Sequence, residues 1–126
     1  MGFLPSRDRQ YLSERSLKFE EVTQGPQKGL VFPKWMIPRG RLNHKQADLL
    51  ILLPDGYPDV PPDMFYLNPW MRITTTGQFP RMADVSFQFN GINWQRWSRH
   101  NNEWRRGVDG IWTMLKRVEH ALSEAT

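Results

Sequence analysis

Two serines have a neighbour in the sequence that could assist chemistry at the hydroxyl group. Ser98 lies in the segment "WSRH", two residues before His100, and Ser86 follows Asp84 by two residues. A serine hydroxyl is a poor nucleophile until a base removes its proton, and histidine is the commonest base. Ser98 and His100 point to the same side only where the chain is extended. These four residues are candidates for a site with a serine nucleophile. The alternative is that both serines are ordinary surface residues and that His100 holds a loop through a hydrogen bond.

A second group of residues could bind a partner without reacting with it. Trp94, Arg96, Trp97 and Arg99 lie close together in the sequence. Tryptophan and arginine are among the residues most enriched in interface hot spots, and arginine binds a carboxylate with two parallel hydrogen bonds. The alternative is that the tryptophans belong to the core and that the arginines stack on them.

The composition excludes several kinds of site. None of the 126 residues is a cysteine, so disulfides, thiolate metal sites and a cysteine nucleophile are excluded within this sequence. The three histidines are far apart in the sequence, and we expect no metal and no cofactor. The net charge of +4 is too small an excess to favour a nucleic acid as the partner. We expect no membrane span, and the lack of cysteine fits a cytoplasmic location.

The hydrophobic pattern predicts one α+β domain over residues 1–126. A short helix is expected to begin with Ser6 as its N-cap, and four strands are expected to follow it. Their sequences are "LKFEEVTQ", "LVFPKWMI", "ADLLILLP" and "DMFYL". The third strand is apolar at every position from Leu49 to Leu53, which indicates that both of its faces are covered.

The second half of the chain is predicted to be mostly irregular. Residues 68–106 show no clear period and are expected to form a long flap. A final helix is expected to begin with Asp109 as its cap, because apolar residues at helical spacing follow it. The predicted order is N-terminal helix, four-stranded antiparallel meander, long flap and C-terminal helix.

The connection between the third and fourth strands has a distinctive sequence. Tyr57, Pro58, Pro61 and Pro62 form the pattern Tyr-Pro-x-x-Pro-Pro, which resembles the segment after the third strand in ubiquitin-conjugating enzymes. With "NGINWQRWSRH" and "WRRGVDGI" farther along, the chain is similar to the prokaryotic family E of ubiquitin-conjugating-like proteins. The resemblance implies a ubiquitin-conjugating-like fold, in which the prolines turn the chain and Tyr57 packs against the sheet edge or a helix.

The resemblance also implies partners, namely a ubiquitin-like protein and its adenylating activating enzyme. Ubiquitin-conjugating enzymes accept the ubiquitin-like tail on a cysteine that follows a His-Pro-Asn sequence. Here Asn68-Pro69 matches that sequence only in part, and by position in the flap Ser86 is the nearest serine. We therefore expect a carrier that uses a serine ester or an adaptor that binds without a covalent bond, and whether the chain is an enzyme stays open. The alternatives are a protein-interaction module of the related RWD type and a single-stranded nucleic-acid binder.

Overall fold

The computed structural model describes residues 2–100 and 103–126, which form an α+β structure with a helix at each end of the chain. The elements are α1 (Ser6–Glu14), β1 (Glu20–Gln24), β2 (Gln27–Met36), β3 (Gln46–Leu53), β4 (Phe65–Asn68), β5 (Val85–Phe89), β6 (Ile92–Trp97) and α2 (Ile111–Ser123). The strands form one antiparallel sheet in the order β1-β2-β3-β4-β6-β5. The β2–β3 register shifts between Phe32 and Trp35, where Pro33 has no N–H to donate to the ladder.

The prediction of an irregular stretch over residues 68–106 is wrong for residues 85–97. These residues form the β5–β6 hairpin, and β6 pairs with β4, so that Phe65 lies opposite Trp97. Asn90 and Gly91 make the turn, with φ values of 51° and 78°. An Asn-Gly pair between two strand-like segments is a strong hairpin signal, because both residues tolerate positive φ. The sequence analysis missed this signal.

The sheet curls so that its two ends approach each other on the face away from the helices. A Cβ atom at Gly29 of β2 would lie 2.8 Å from Leu50 Cδ1 and 3.1 Å from the ring of Phe89. The backbone N–H of Asn90 donates to Gln24 Oε1 at 2.5 Å. The β5–β6 hairpin therefore reaches across to the β1–β2 hairpin, and a side chain at position 29 would require Leu50 and Phe89 to shift.

This curl explains why β3 is apolar at successive positions. Leu49 and Ile51 face the helices and belong to the main core, whereas Leu50 faces the other way and packs with Tyr66, Phe89 and Trp94 in a second cluster. All three β3 residues are fully buried. The prediction that both faces of β3 are covered is confirmed. The helices cover one face, and the curled sheet itself covers the other.

Helix α2 covers the face of the sheet that carries Leu49 and Ile51, as the apolar stripe of the helix predicts. Its buried residues are Ile111, Met114, Leu115, Val118, Ala121 and Leu122. Both predicted helix caps are wrong by one residue. Gly110 rather than Asp109 is the N-cap of α2, and Pro5 rather than Ser6 is that of α1. Asp109 lies one position earlier and accepts hydrogen bonds from Arg105 and Thr113.

The proline segment fastens α1 to the start of α2. The Tyr57 hydroxyl donates to Asp8 of α1, whose carboxylate is buried and also accepts the backbone N–H of Ile111. Burial raises the pKa of Asp8, and the hydrogen bonds from Tyr57 and Ile111 oppose that rise. The indole N–H of Trp104 donates to Pro58 O at 2.8 Å. Pro61 is half-buried and Pro62 is buried, so this segment has an architectural role.

A buried amide fastens the segment between β4 and β5. Gln95 of β6 is 0 % exposed. Its Nε2 donates to Met71 O at 3.0 Å and Ala83 O at 2.8 Å, and its Oε1 accepts the backbone N–H of Met71 at 2.8 Å and the indole N–H of Trp97 at 3.1 Å. All the donors and acceptors of this amide are therefore satisfied inside the protein.

Replacing Gln95 should destabilise the fold strongly. In Gln95→Leu the polar groups of Met71, Ala83 and Trp97 lose their buried partner, so we expect the free energy of unfolding to fall by about 2 to 5 kcal/mol. Chemical denaturation measures this change. Gln88→Leu is the matched control, because Gln88 is exposed on β5, and its effect should stay within about 0.5 kcal/mol. Equal effects in the two variants would contradict the role assigned to Gln95.

Removing the Tyr57 hydroxyl should also weaken the fold. Tyr57→Phe leaves the buried Asp8 carboxyl without one of its donors, and we expect a loss of about 1.5 to 3 kcal/mol in the free energy of unfolding. Tyr11→Phe is the control, because Tyr11 is half-buried and its hydroxyl makes no hydrogen bond to the described residues. A loss in Tyr57→Phe no larger than in Tyr11→Phe would mean that the Tyr57 ring, not its hydroxyl, holds the segment.

Candidate active site

Ser98 and His100 come together directly after β6. The strand ends at Trp97, and Ser98 Oγ lies 3.0 Å from His100 Nε2. The sequence analysis required the two side chains to point to the same side, and they do. The hydroxyl and the imidazole are therefore at hydrogen-bond distance, the arrangement in which a histidine can act as a base on a serine.

A third residue, Asp63, completes the arrangement. Asp63 Oδ1 lies 2.5 Å from His100 Nδ1. Asp63 follows the proline segment and precedes β4, and β4 pairs with β6 through Phe65 and Trp97. This pairing brings Asp63 to the start of the segment that holds Ser98 and His100. The sequence analysis missed Asp63 because it did not predict β6, and without β6 nothing indicates which residues lie beside His100.

The three side chains form a Ser98–His100–Asp63 array, with the residues in the same order of contact as in a catalytic triad. When Nδ1 of His100 carries its proton and donates it to Asp63, Nε2 is free to accept the proton of Ser98. Asp63 also fixes the orientation of the ring and can stabilise the imidazolium that forms. The array is open to solvent, since the side chains of His100 and Asp63 are 51 % and 63 % exposed. Ser98 itself is half-buried.

The other pair of predicted site residues does not join this array. Ser86 lies on β5 opposite Gln95, and Asp84 directly precedes that strand. Both are exposed, and no hydrogen bond connects either of them to a histidine within residues 2–100 and 103–126. Their catalytic role stays a prediction without support from the geometry.

The four predicted binding residues divide into buried and accessible side chains. Trp94 and Trp97 are 1 % and 0 % exposed, on opposite faces of the sheet. Their rings therefore cannot form a contact surface in this conformation. Arg96 and Arg99 are half-buried, and Arg99 lies over the Trp97 ring at 5.2 Å from its centroid. This arrangement matches the alternative interpretation, in which the tryptophans are core residues.

Metal-ligating side chains do not gather anywhere in the described part of the chain, where no group of three or more His, Asp or Glu residues could hold an ion. None of the helices there has the length and apolar character needed to cross a membrane.

The family of the chain follows from comparison with known proteins. The family model of prokaryotic E2 family E matches residues 4–125. The chain belongs to this family. No curated protein and no solved structure matches the chain. Membership of prokaryotic E2 family E confirms the resemblance found in the sequence and indicates a ubiquitin-conjugating-like role with protein partners.

The segment that returns from His100 to α2 is fastened at Asp109. The side chain and backbone N–H of Arg105 and the hydroxyl of Thr113 donate to the Asp109 carboxylate. The hydrogen bonds from Arg105 make the largest contribution to lowering the pKa of Asp109 to about 2, and burial acts in the opposite direction. The ionised carboxylate is therefore favoured in the folded chain.

This shift predicts a pH-dependent stability. The pKa of Asp109 is lower in the folded chain than the ordinary value of 3.8, so its contribution is complete above pH 3.8 and is lost as the pH falls towards 2. We expect the stability difference between the wild type and Asp109→Asn to shrink over that range in chemical denaturation. The control is Gln88→Leu, at an exposed position without an ionisable group, and its difference should stay constant. A constant difference for Asp109→Asn would contradict the interpretation.

Proposed function

We propose that this member of prokaryotic E2 family E is a carrier that holds the C-terminus of a ubiquitin-like protein as an ester on Ser98. The single observation that carries the proposal is the distance of 3.0 Å between Ser98 Oγ and His100 Nε2, with His100 oriented by Asp63. The activating enzyme is the proposed donor, and it presents the tail as a thioester.

The transfer is a balanced exchange of one acyl bond for another. His100 Nε2 removes the proton of Ser98, and Oγ attacks the thioester carbonyl. The bond from that carbonyl carbon to sulfur breaks, the bond to Oγ remains, and His100 returns the proton to the leaving thiolate. The products are the Ser98 ester of the ubiquitin-like protein and the free thiol of the activating enzyme. A cysteine is not needed on this chain, and its 126 residues contain none.

The proposed carrier uses the elements as a ubiquitin-conjugating-like domain does. In this proposal β1 to β4 form the meander, the segment between β4 and β5 corresponds to the flap, and residues 1–126 act as one domain. Asn68-Pro69 ends β4 at the position where the His-Pro-Asn sequence is expected, and the β5–β6 hairpin then delivers Ser98 to the surface. The serine therefore comes after the hairpin rather than in the flap.

The second candidate is an adaptor of the RWD type, which binds the ubiquitin-like protein without a covalent bond. It is favoured by the exposure of His100 and Asp63, because a solvent-exposed array offers an ester little protection from hydrolysis. A single-stranded nucleic-acid binder finds less support. Stacking on bases needs accessible aromatic faces, and Trp94 and Trp97 are buried.

A charging assay tests the carrier. The chain is mixed with the activating enzyme, ATP and the ubiquitin-like protein, and denaturing gels are run after treatment with thiol or with hydroxide. We expect an adduct that survives thiol and is lost in hydroxide. Ser98→Ala should abolish it, and His100→Gln should slow its formation by about 100-fold or more. Ser98→Cys should convert it to an adduct that thiol removes.

Ser86→Ala is the matched control and should charge as the wild type does. An adduct that persists in Ser98→Ala would contradict the assignment of Ser98. No adduct, together with co-elution of the two proteins, would replace the carrier by the adaptor.

A further inference from the structure

A pocket with a concentration of positive charge lies beside the Ser98–His100–Asp63 array. Its volume is about 520 Å³, and Ser98 and His100 form part of its lining. We call it the arginine pocket, after the three arginines that line it: Arg81, Arg99 and Arg117. Three elements supply them, namely the segment before β5, the segment after β6 and helix α2.

Arg81 and Arg99 are held close together although both are positively charged. Arg99 Nη1 donates to Arg81 O at 2.8 Å and to Ser98 O at 3.0 Å. The backbone N–H of Arg81 donates to Thr126 O at 2.7 Å, which anchors Arg81 beside the end of α2. Burial lowers the pKa of Arg99, and the charge of Arg81 lowers it further. Both arginines line the same pocket, and a bound anion would offset their positive charges.

Arg117 has a buried donor without a partner. Its Nη1 atom makes no hydrogen bond within the described part of the chain. Burial lowers the pKa of Arg117, and the negative charge of Asp63 opposes that change. A charged donor that is left unsatisfied costs more than a neutral one. Glu124 also lines the pocket, but the described residues include no ion pair between it and an arginine.

We propose that the arginine pocket binds the free α-carboxylate of a peptide C-terminus. Guanidinium groups match the planar, two-oxygen shape of a carboxylate through parallel hydrogen bonds. The inference rests on the proposed function, in which the peptide is the tail of the ubiquitin-like protein. The pocket adds to that function a site for the tail before activation or after the ester has been hydrolysed.

The shared lining is the reason to choose a carboxylate over other anions. Ser98 and His100 border the same pocket as the arginines, so a carboxylate on the guanidinium groups lies beside the hydroxyl that would accept the same carbonyl carbon as an ester. Phosphate is also an anion whose oxygens accept hydrogen bonds from guanidinium groups, and the experiment has to separate the two.

Titration by nuclear magnetic resonance tests the site with defined probes. N-acetyl-triglycine, which has a free carboxylate, is added to the ¹⁵N-labelled chain, and its C-terminal amide and inorganic phosphate are titrated separately. We expect the acid to produce saturable shifts at residues 98–100 and 117–121. The amide should produce none, and phosphate should bind more weakly than the acid.

Variants connect the shifts to the arginines. Arg117→Gln should weaken binding of the acid by about tenfold or more, because one charge-assisted donor is lost. Arg81→Gln should weaken it as well, and since Arg81 is exposed, this variant avoids any effect on folding. Arg39→Gln is the charge-matched control at an exposed position outside the pocket, and it should bind as the wild type does.

Each part can fail separately. Equal binding of the acid and the amide, or tighter binding of phosphate, would overturn the carboxylate site. In the wild type, binding of the acid without charging would refute the carrier alone. Charging without binding of the acid would refute the arginine pocket alone.

Discussion

The buried amide of Gln95 is the interaction on which the candidate site depends most directly. The side chain of Gln95 lies in the core, and its hydrogen bonds connect β6 to the segment between β4 and β5 through Met71 and Ala83. An amide in the core is favourable only when all its donors and acceptors are satisfied, and this condition fixes the relative position of the groups that it joins. Ser98 follows three residues later, and its backbone N–H donates to Met82 O. The segment between β4 and β5 therefore fixes the position of Ser98 in two ways, through the side chain of Gln95 and through the backbone of Ser98 itself.

A second buried polar junction holds the opposite side of the site. Asp8 receives donors from Tyr57 and from the first turn of α2, and Trp104 connects the returning chain to Pro58. Asp63 lies just beyond this proline segment. The array thus joins two parts of the molecule, since Ser98 and His100 belong to the β6 side and Asp63 to the proline side. The side chains of His100 and Asp63 are largely exposed, whereas Gln95 and Asp8, which hold the two parts, are buried.

Local patterns in the sequence predicted the elements that are determined locally. The apolar run of β3, the helical stripe of α2, the proline segment and the proximity of Ser98 to His100 all follow from residue types at short spacing. The Asn90-Gly91 hairpin could also have been predicted from its local sequence. The roles of Asp63 and Gln95 could not be predicted in this way, because their partners lie 37 residues away at His100 and 24 residues away at Met71. Trp94 and Trp97 were ambiguous because a tryptophan beside an arginine has the same appearance in an interface and in a core.

The contact between Gly29 and Phe89 has a consequence for how related chains diverge. The curl of the sheet brings these two positions together, so that a side chain at position 29 would require both Leu50 and the phenyl ring of Phe89 to shift. Substitution at either position is therefore constrained by the other, and a descendant chain that gains a methyl group at one would need a smaller residue at its counterpart. Such coupled exchange would mark the curled sheet in distant members of the family, even where the residues of the site have been replaced.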